Sequence, residues 1–196
     1  MTPRSWTVVV FLTVLVAAAL RLAGLQSGLW YDEIITLVGS VRHPLRQIGT
    51  EYPGVNTHPL YSVVARVSVE AFGESAWAIR LPAAAFGILS VAMVYVVGTR
   101  IMTRAEAWAG AAVLATSYHH VWFSQNARGY TLLGLLTLWS TGALLRALST
   151  DGRRFYVIYA VTAAAGMYAH LTMGLVIVGQ AAAVALGVLT GSKDVP

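Results

Sequence analysis

An all-α, polytopic membrane bundle is the fold class this sequence predicts, on three observations. Hydrophobic residues make up 57% of the chain and charged residues only 11%, against about 25% charged in a typical soluble domain. The apolar residues fall in blocks of roughly 18 to 22, the length that crosses a hydrocarbon core of about 30 Å. The basic residues stand singly between those blocks, so the net charge of +5 does not describe a nucleic-acid-binding face. The chain has no cysteine, which excludes disulfide, thiolate-metal and cysteine-nucleophile chemistry. No Walker, GxGxxG or HExxH pattern occurs.

Residues 1–196 read as one transmembrane domain. The first apolar segment covers 6–25, with Arg4 before it and Arg21 near its far end, where a long side chain can snorkel to the interface. Arg4, this stretch and Ala17-Ala18-Ala19 also fit a secretory signal pattern, but apolar character resumes after Arg21. Residues 26–80 form the long polar loop, holding Asp32, Glu33, Glu51, Glu70 and Glu74. Inside it, Ile34, Leu37, Val38 and Val41 have helical spacing, as do Leu60, Val63, Val64 and Val67. Both pieces suit amphipathic helices lying in the interface. Tyr52 to Pro59, rich in turn formers, is irregular.

Further spans are predicted at about 81–102, with Pro82 in the first turn, at about 105–122, and at about 130–148. From Phe155 to Leu189 the chain stays apolar for about 35 residues, about 52 Å as one helix, so it must turn back near His170-Leu171-Thr172. About six spans result. An even number puts Arg4, Arg100, Arg104, Arg146, Arg153, Arg154 and Lys193 on one side. The positive-inside rule makes that side cytoplasmic. The 26–80 loop, Arg128 and His170 then share the outer face.

The acids that follow the first span, Asp32 and Glu33, are the centre of the functional reading. A carboxylate can take the proton of an attacking hydroxyl as general base. An arginine can hold a phosphate by two hydrogen bonds and stabilise the leaving oxygen. Arg128 with Gln125 and Asn126, and the histidines His58 and His170, arrive at the same face. Adjacent positions lie about 100° apart on a helix, so Asp32 and Glu33 are not a matched pair. Asp32 is the expected base and Glu33 an orienting or arginine-pairing residue. Against this, Asp32 also fits an N-cap, Arg128 an interfacial snorkelling residue, and Trp30, Tyr31, Trp122 and Tyr130 interface anchors. His119 and His120 are neighbours that one helix face cannot present together. No metal-ligand spacing is present.

Trp30-Tyr31-Asp32-Glu33, Thr57-His58-Pro59-Leu60-Tyr61, Arg80-Leu81-Pro82 and Phe123-Ser124-Gln125-Asn126-Ala127-Arg128-Gly129-Tyr130 occur in that order. With its interleaved spans, the chain resembles the amino-terminal half of the GT-C membrane glycosyltransferases. The nearest branch holds the dolichyl-phosphate-mannose protein mannosyltransferases, lipid A aminoarabinose transferases and lipopolysaccharide galacturonosyltransferases. The resemblance implies a catalytic role for Asp32-Glu33, and donor contacts from His58, Gln125, Arg128 and Tyr130. This chain has one proline fewer than the family after His58, and Asn126 where many relatives have Glu. The implied reaction is inverting transfer of a hexosyl or pentosyl unit from a polyprenyl phosphate sugar to an acceptor hydroxyl, outside the plasma (inner) membrane. A divalent metal serves some members, without assignable ligands here. Relatives carry more spans, so a partner chain or continuation is implied. The alternative is a non-catalytic half-enzyme or membrane subunit that binds lipid or a partner; a transporter would place its ionisable groups near the midplane.

Overall fold

The computed structural model describes residues 2–51, 57–150 and 152–190. Most of the expected irregular piece (52–56), Asp151 and the tail from 191, with Lys193, lie outside the described residues. The described chain is helical, with no strand. It runs α1 (Pro3–Leu22), α2 (Tyr31–Thr36), a π turn (Leu37–Val41), α3 (Leu45–Thr50), α4 (Pro59–Phe72) and α5 (Ala76–Gly98). Then follow α6 (Arg104–Thr116), α7 (Tyr118–Ser124), α8 (Tyr130–Thr150), α9 (Arg153–Ala169) and α10 (Met173–Leu189).

Helices α1, α5 and α8 are long and apolar enough to cross a membrane. The remaining expected spans are helices of lesser length. The apolar run after Phe155 breaks at His170–Thr172, leaving α9 and α10 with 17 residues each, about 26 Å at 1.5 Å per residue. On α10 the apolar side chains Leu175, Val178, Val188 and Leu189 point outward, as a lipid-facing surface allows.

Helix α5 is the hub of the bundle, packing against α1, α4, α6, α7 and α8. Small buried residues, Ala78, Ala83, Ala84 and Gly87, let its neighbours approach closely. Pro82 does not lie in its first turn, because Ser75 caps the helix a turn earlier than expected and accepts from Ala78 N at 3.4 Å. The proline is therefore interior and leaves the carbonyl of Ala78 without its helical donor. The Ser68 hydroxyl donates to that carbonyl at 2.6 Å, and the Tyr61 hydroxyl donates to Ile79 O at 2.7 Å. Helix α4 thus repairs α5.

That use of α4 decides which of its faces turns inward. Tyr61, Ser62, Ala65 and Ser68 are buried, whereas Val67 of the valine stripe is 51% exposed. In the first half of the loop, Leu37 and Val41 are buried while Ile34 and Val38 remain half exposed. There Arg42 N donates to Leu37 O at 3.0 Å, five residues back. This wider turn alters the helical repeat on which the spacing argument relied.

The third expected span is interrupted at Ser117, which is extended with φ −60° and ψ 118° between α6 and α7. A break in an apolar segment frees carbonyls that lipid cannot satisfy. Arg21 satisfies them. Its Nη1 donates to Ala115 O and its Nη2 to Leu114 O, both at 3.0 Å, and Nη2 also reaches His120 Nδ1 at 2.8 Å. Arg21 is fully buried, so it does not snorkel to the interface. Its charge is spent inside the bundle on the broken helix.

The contact between α5 and α7 leaves no space at Gly87, where a Cβ would stand 2.9 Å from Ser124 Cβ and 2.1 Å from its hydroxyl oxygen. Gly87→Ala is therefore expected to destabilise the bundle by about 1–3 kcal/mol through overpacking. A thermal melt in detergent checks this, and an unchanged midpoint would show that the contact is looser.

Candidate active site

The geometry starts with a carboxylate that is wholly buried. Glu33 lies in the first turn of α2, and both of its oxygens are saturated. Oε2 accepts from Trp30 N at 2.9 Å and from Arg80 Nη2 at 2.6 Å. Oε1 accepts from Arg80 Nε at 2.8 Å and from Ala127 N at 2.7 Å. Arg80, also fully buried, donates its other N–H groups to Leu25 O, Ser27 O, Ser27 Oγ and Gly28 O. One two-pronged ion pair thereby joins the end of the first segment, the start of α2, α5 and the loop between α7 and α8. A guanidinium fork facing a carboxylate suits such a join, since it fixes direction as well as distance.

The neighbouring acid is arranged oppositely. Asp32 has a 59% exposed side chain. Trp30 occupies the N-cap of α2, so Asp32 is not the helix stop that its position in sequence permits. Its Oδ2 stands 3.9 Å from Nη1 of Arg128, whose side chain is 5% exposed. Arg128 is accordingly a buried cation behind an open carboxylate, not an interfacial snorkelling side chain. It is aimed by a tight turn, in which its N–H donates to Asn126 O at 2.7 Å. Asn126 itself is buried and donates to Trp122 O at 2.8 Å.

Beside Arg128 lies a cluster of three rings. The Arg128 guanidinium is 5.8 Å from the ring centroid of Tyr130. His58 is 5.3 Å from Tyr130 and 5.0 Å from His170 between ring centroids. His58 Nδ1 donates to Ala169 O at 3.2 Å, whereas its buried Nε2 has no hydrogen-bond partner. Burial first, then the Arg128 charge, pulls the His58 imidazole down to about 4, against smaller opposing pulls from Ala169 and Asp32. His58 is thus neutral near pH 7, with Nε2 an open acceptor. His170 is lowered as well, by burial and then by Arg128. Gly129 makes the cluster possible: a Cβ there would meet Ala169 O at 3.0 Å and His58 Cβ at 3.1 Å.

Asp32, Arg128, His58 and Tyr130 therefore come together. Gln125 has another use, for its Nε2 donates to Leu20 O at 2.8 Å and closes the end of α1. Among the described residues no three His, Asp or Glu side chains gather as a metal site. Sequence reasoning did not single out Arg80 as the partner of Glu33. Its signal was an arginine at the head of an apolar span, which in lipid demands a nearby acid. The role of Ala127 N had no signal at all, being a backbone group.

Breaking a buried ion pair strands the remaining charge. Glu33→Gln is expected to lower stability by roughly 3–5 kcal/mol, whereas Asp32→Asn, at an exposed position, should change it by no more than about 0.5 kcal/mol. Chemical unfolding of both variants in detergent separates the two acids. Equal effects would contradict their assignment to different environments.

With this geometry in place, comparison with known proteins is informative. The family model for dolichyl-phosphate-mannose-protein mannosyltransferase matches residues 53–192. The match takes in His58, Gln125, Arg128 and Tyr130, and begins after Asp32 and Glu33. No curated protein and no solved structure matches the chain. On the family match and the apolar helical architecture, the chain is an integral membrane protein and belongs to the dolichyl-phosphate-mannose-protein mannosyltransferase family of GT-C glycosyltransferases.

Proposed function

We propose that this chain transfers a sugar from a polyprenyl phosphate donor to an acceptor hydroxyl, with inversion, at the outer face of the plasma membrane. The observation that carries the reading is the open carboxylate of Asp32 beside the buried guanidinium of Arg128, 3.9 Å apart. An acid and a cation so placed divide the work of the reaction. Asp32 accepts the proton as the acceptor oxygen bonds to the anomeric carbon. The bond from that carbon to the phosphate oxygen breaks on the opposite side, and Arg128 offsets the charge that develops on the phosphate. A single displacement of this kind inverts the carbon. Glu33 takes no proton in this scheme and acts by positioning, through Arg80 and Ala127 N. Tyr130 supports the Arg128 guanidinium from its ring face.

Asp32→Asn is expected to lower sugar transfer by about 10²–10⁴-fold while leaving the protein folded. Transfer from the lipid donor in proteoliposomes checks this, and wild-type activity in the variant would eliminate Asp32 as the base.

His58 adds a pH dependence whose sign follows from its lowered value. With Nδ1 committed to Ala169 O, Nε2 reaches a phosphate only after taking up a proton. A bound phosphate raises the pKa of His58 above about 4, against the pull of Arg128 and with that of Asp32. Donor affinity should therefore strengthen as the pH falls from about 8 to about 5, and His58→Asn should flatten the trend. Titration of the donor lipid across that range reads the effect, and an equally steep trend in His58→Asn would assign it to another group, such as His170.

A further inference from the structure

Far from Asp32, at the other end of α5, a second charged place has no part in this chemistry. Arg80 and Arg100 are separated by about 30 Å along that helix at 1.5 Å per residue. Around Arg100 a groove of about 430 Å³ lies between α5, α8 and α9. Three arginines line it: Arg100 just past the end of α5, Arg146 near the end of α8, and Arg154 at the start of α9. The rest of the lining runs back along the helices and is apolar, with Val97 on α5, Trp139 on α8 and Ile158 on α9.

The lining contains no carboxylate among the described residues; Asp151, the nearest acid in sequence, lies outside them. Arg146 and Arg154 both lie against Phe155, at 5.4 and 4.7 Å from the ring centroid. Partial desolvation by the groove, and then the Arg146 charge, holds the Arg100 guanidinium below the ordinary arginine value. Three guanidiniums facing one apolar slot in a membrane protein call for a counter-charge that carries its own hydrocarbon. We propose that this groove binds an anionic phospholipid of the bilayer, its phosphate on the arginines and one acyl chain along Val97 and Trp139. Arginine suits the phosphate because its fork bonds two oxygens together, and a basic pocket between membrane helices has this preference in general.

Trp139 is half exposed in the groove and reports its occupant. The full chain in detergent micelles is titrated with brominated phosphatidylglycerol or brominated phosphatidylcholine, and the Trp139 signal is taken as the difference between wild type and Trp139→Phe. The anionic lipid should quench Trp139 at a lower mole fraction than the zwitterionic one. Each of R100Q and R154Q should reduce that preference by about fivefold. Both arginines are exposed, so these variants are expected to fold, with an unchanged helical circular dichroism spectrum as the control. Excess inorganic phosphate should fail to relieve the quenching. Equal quenching by the two lipids, a preference that survives the R100Q/R146Q/R154Q triple variant, displacement by phosphate alone, or no quenching because a second protein chain covers Trp139 would each overturn the proposal.

Discussion

A buried carboxylate held by a buried guanidinium organises the Asp32 end of this protein. Glu33 and Arg80 each have essentially no exposure, and neither is tolerable there without the other. Two charges removed from water cost several kcal/mol each, which only close pairing and further hydrogen bonds offset. Here every prong is used. The pair joins α2, α5, the 25–28 strand of backbone and the loop at Ala127. Asp32 is carried on α2 and Arg128 follows Ala127 in the same loop, so their separation is set by a contact that neither makes. Catalytic geometry depends on such supporting bonds as much as on the reacting groups.

The same accounting explains features of the bundle that look unfavourable when taken alone. A proline inside α5 and a break between α6 and α7 both leave carbonyls open in an apolar setting. Ser68 closes the first gap, with Tyr61 adding a bond to the next carbonyl, that of Ile79, and Arg21 closes the second. Polar side chains within the bundle are therefore backbone donors by assignment. Backbone groups without water need such partners, and a helix that reaches around to supply them is fixed in position by doing so. This is why α4, which lacks the length to span, sits firmly against α5.

The two ends of the bundle differ in electrostatic character. Near Asp32 each cation has an acid within reach: Arg80 meets Glu33 and Arg128 faces Asp32. At the groove beyond Val97, Arg100, Arg146 and Arg154 gather without a carboxylate among the described lining residues. Balanced charge suits the proposed reaction, in which a phosphate is received and released, and unbalanced charge suits the proposed lipid site, which would keep one.

The sequence alone determined that the chain is a bundle of apolar helices, because block length and charge placement follow from the thickness of the bilayer. It also pointed to residue 32 as the place for an exposed acid and to residue 170 as a turn, since both stand at ends of apolar runs. Tertiary structure decided the partners. Spacing along the chain cannot say that Arg80 faces Glu33, that Arg21 ends α6, or that Gln125 closes α1, because each pairing spans dozens of residues. It also left open which face of α4 turns inward, since a valine stripe can face either a protein core or lipid. Periodicity shows that a helix has two faces; which face turns inward depends on what the neighbouring helix lacks. For α4 that was a donor for the carbonyl of Ala78.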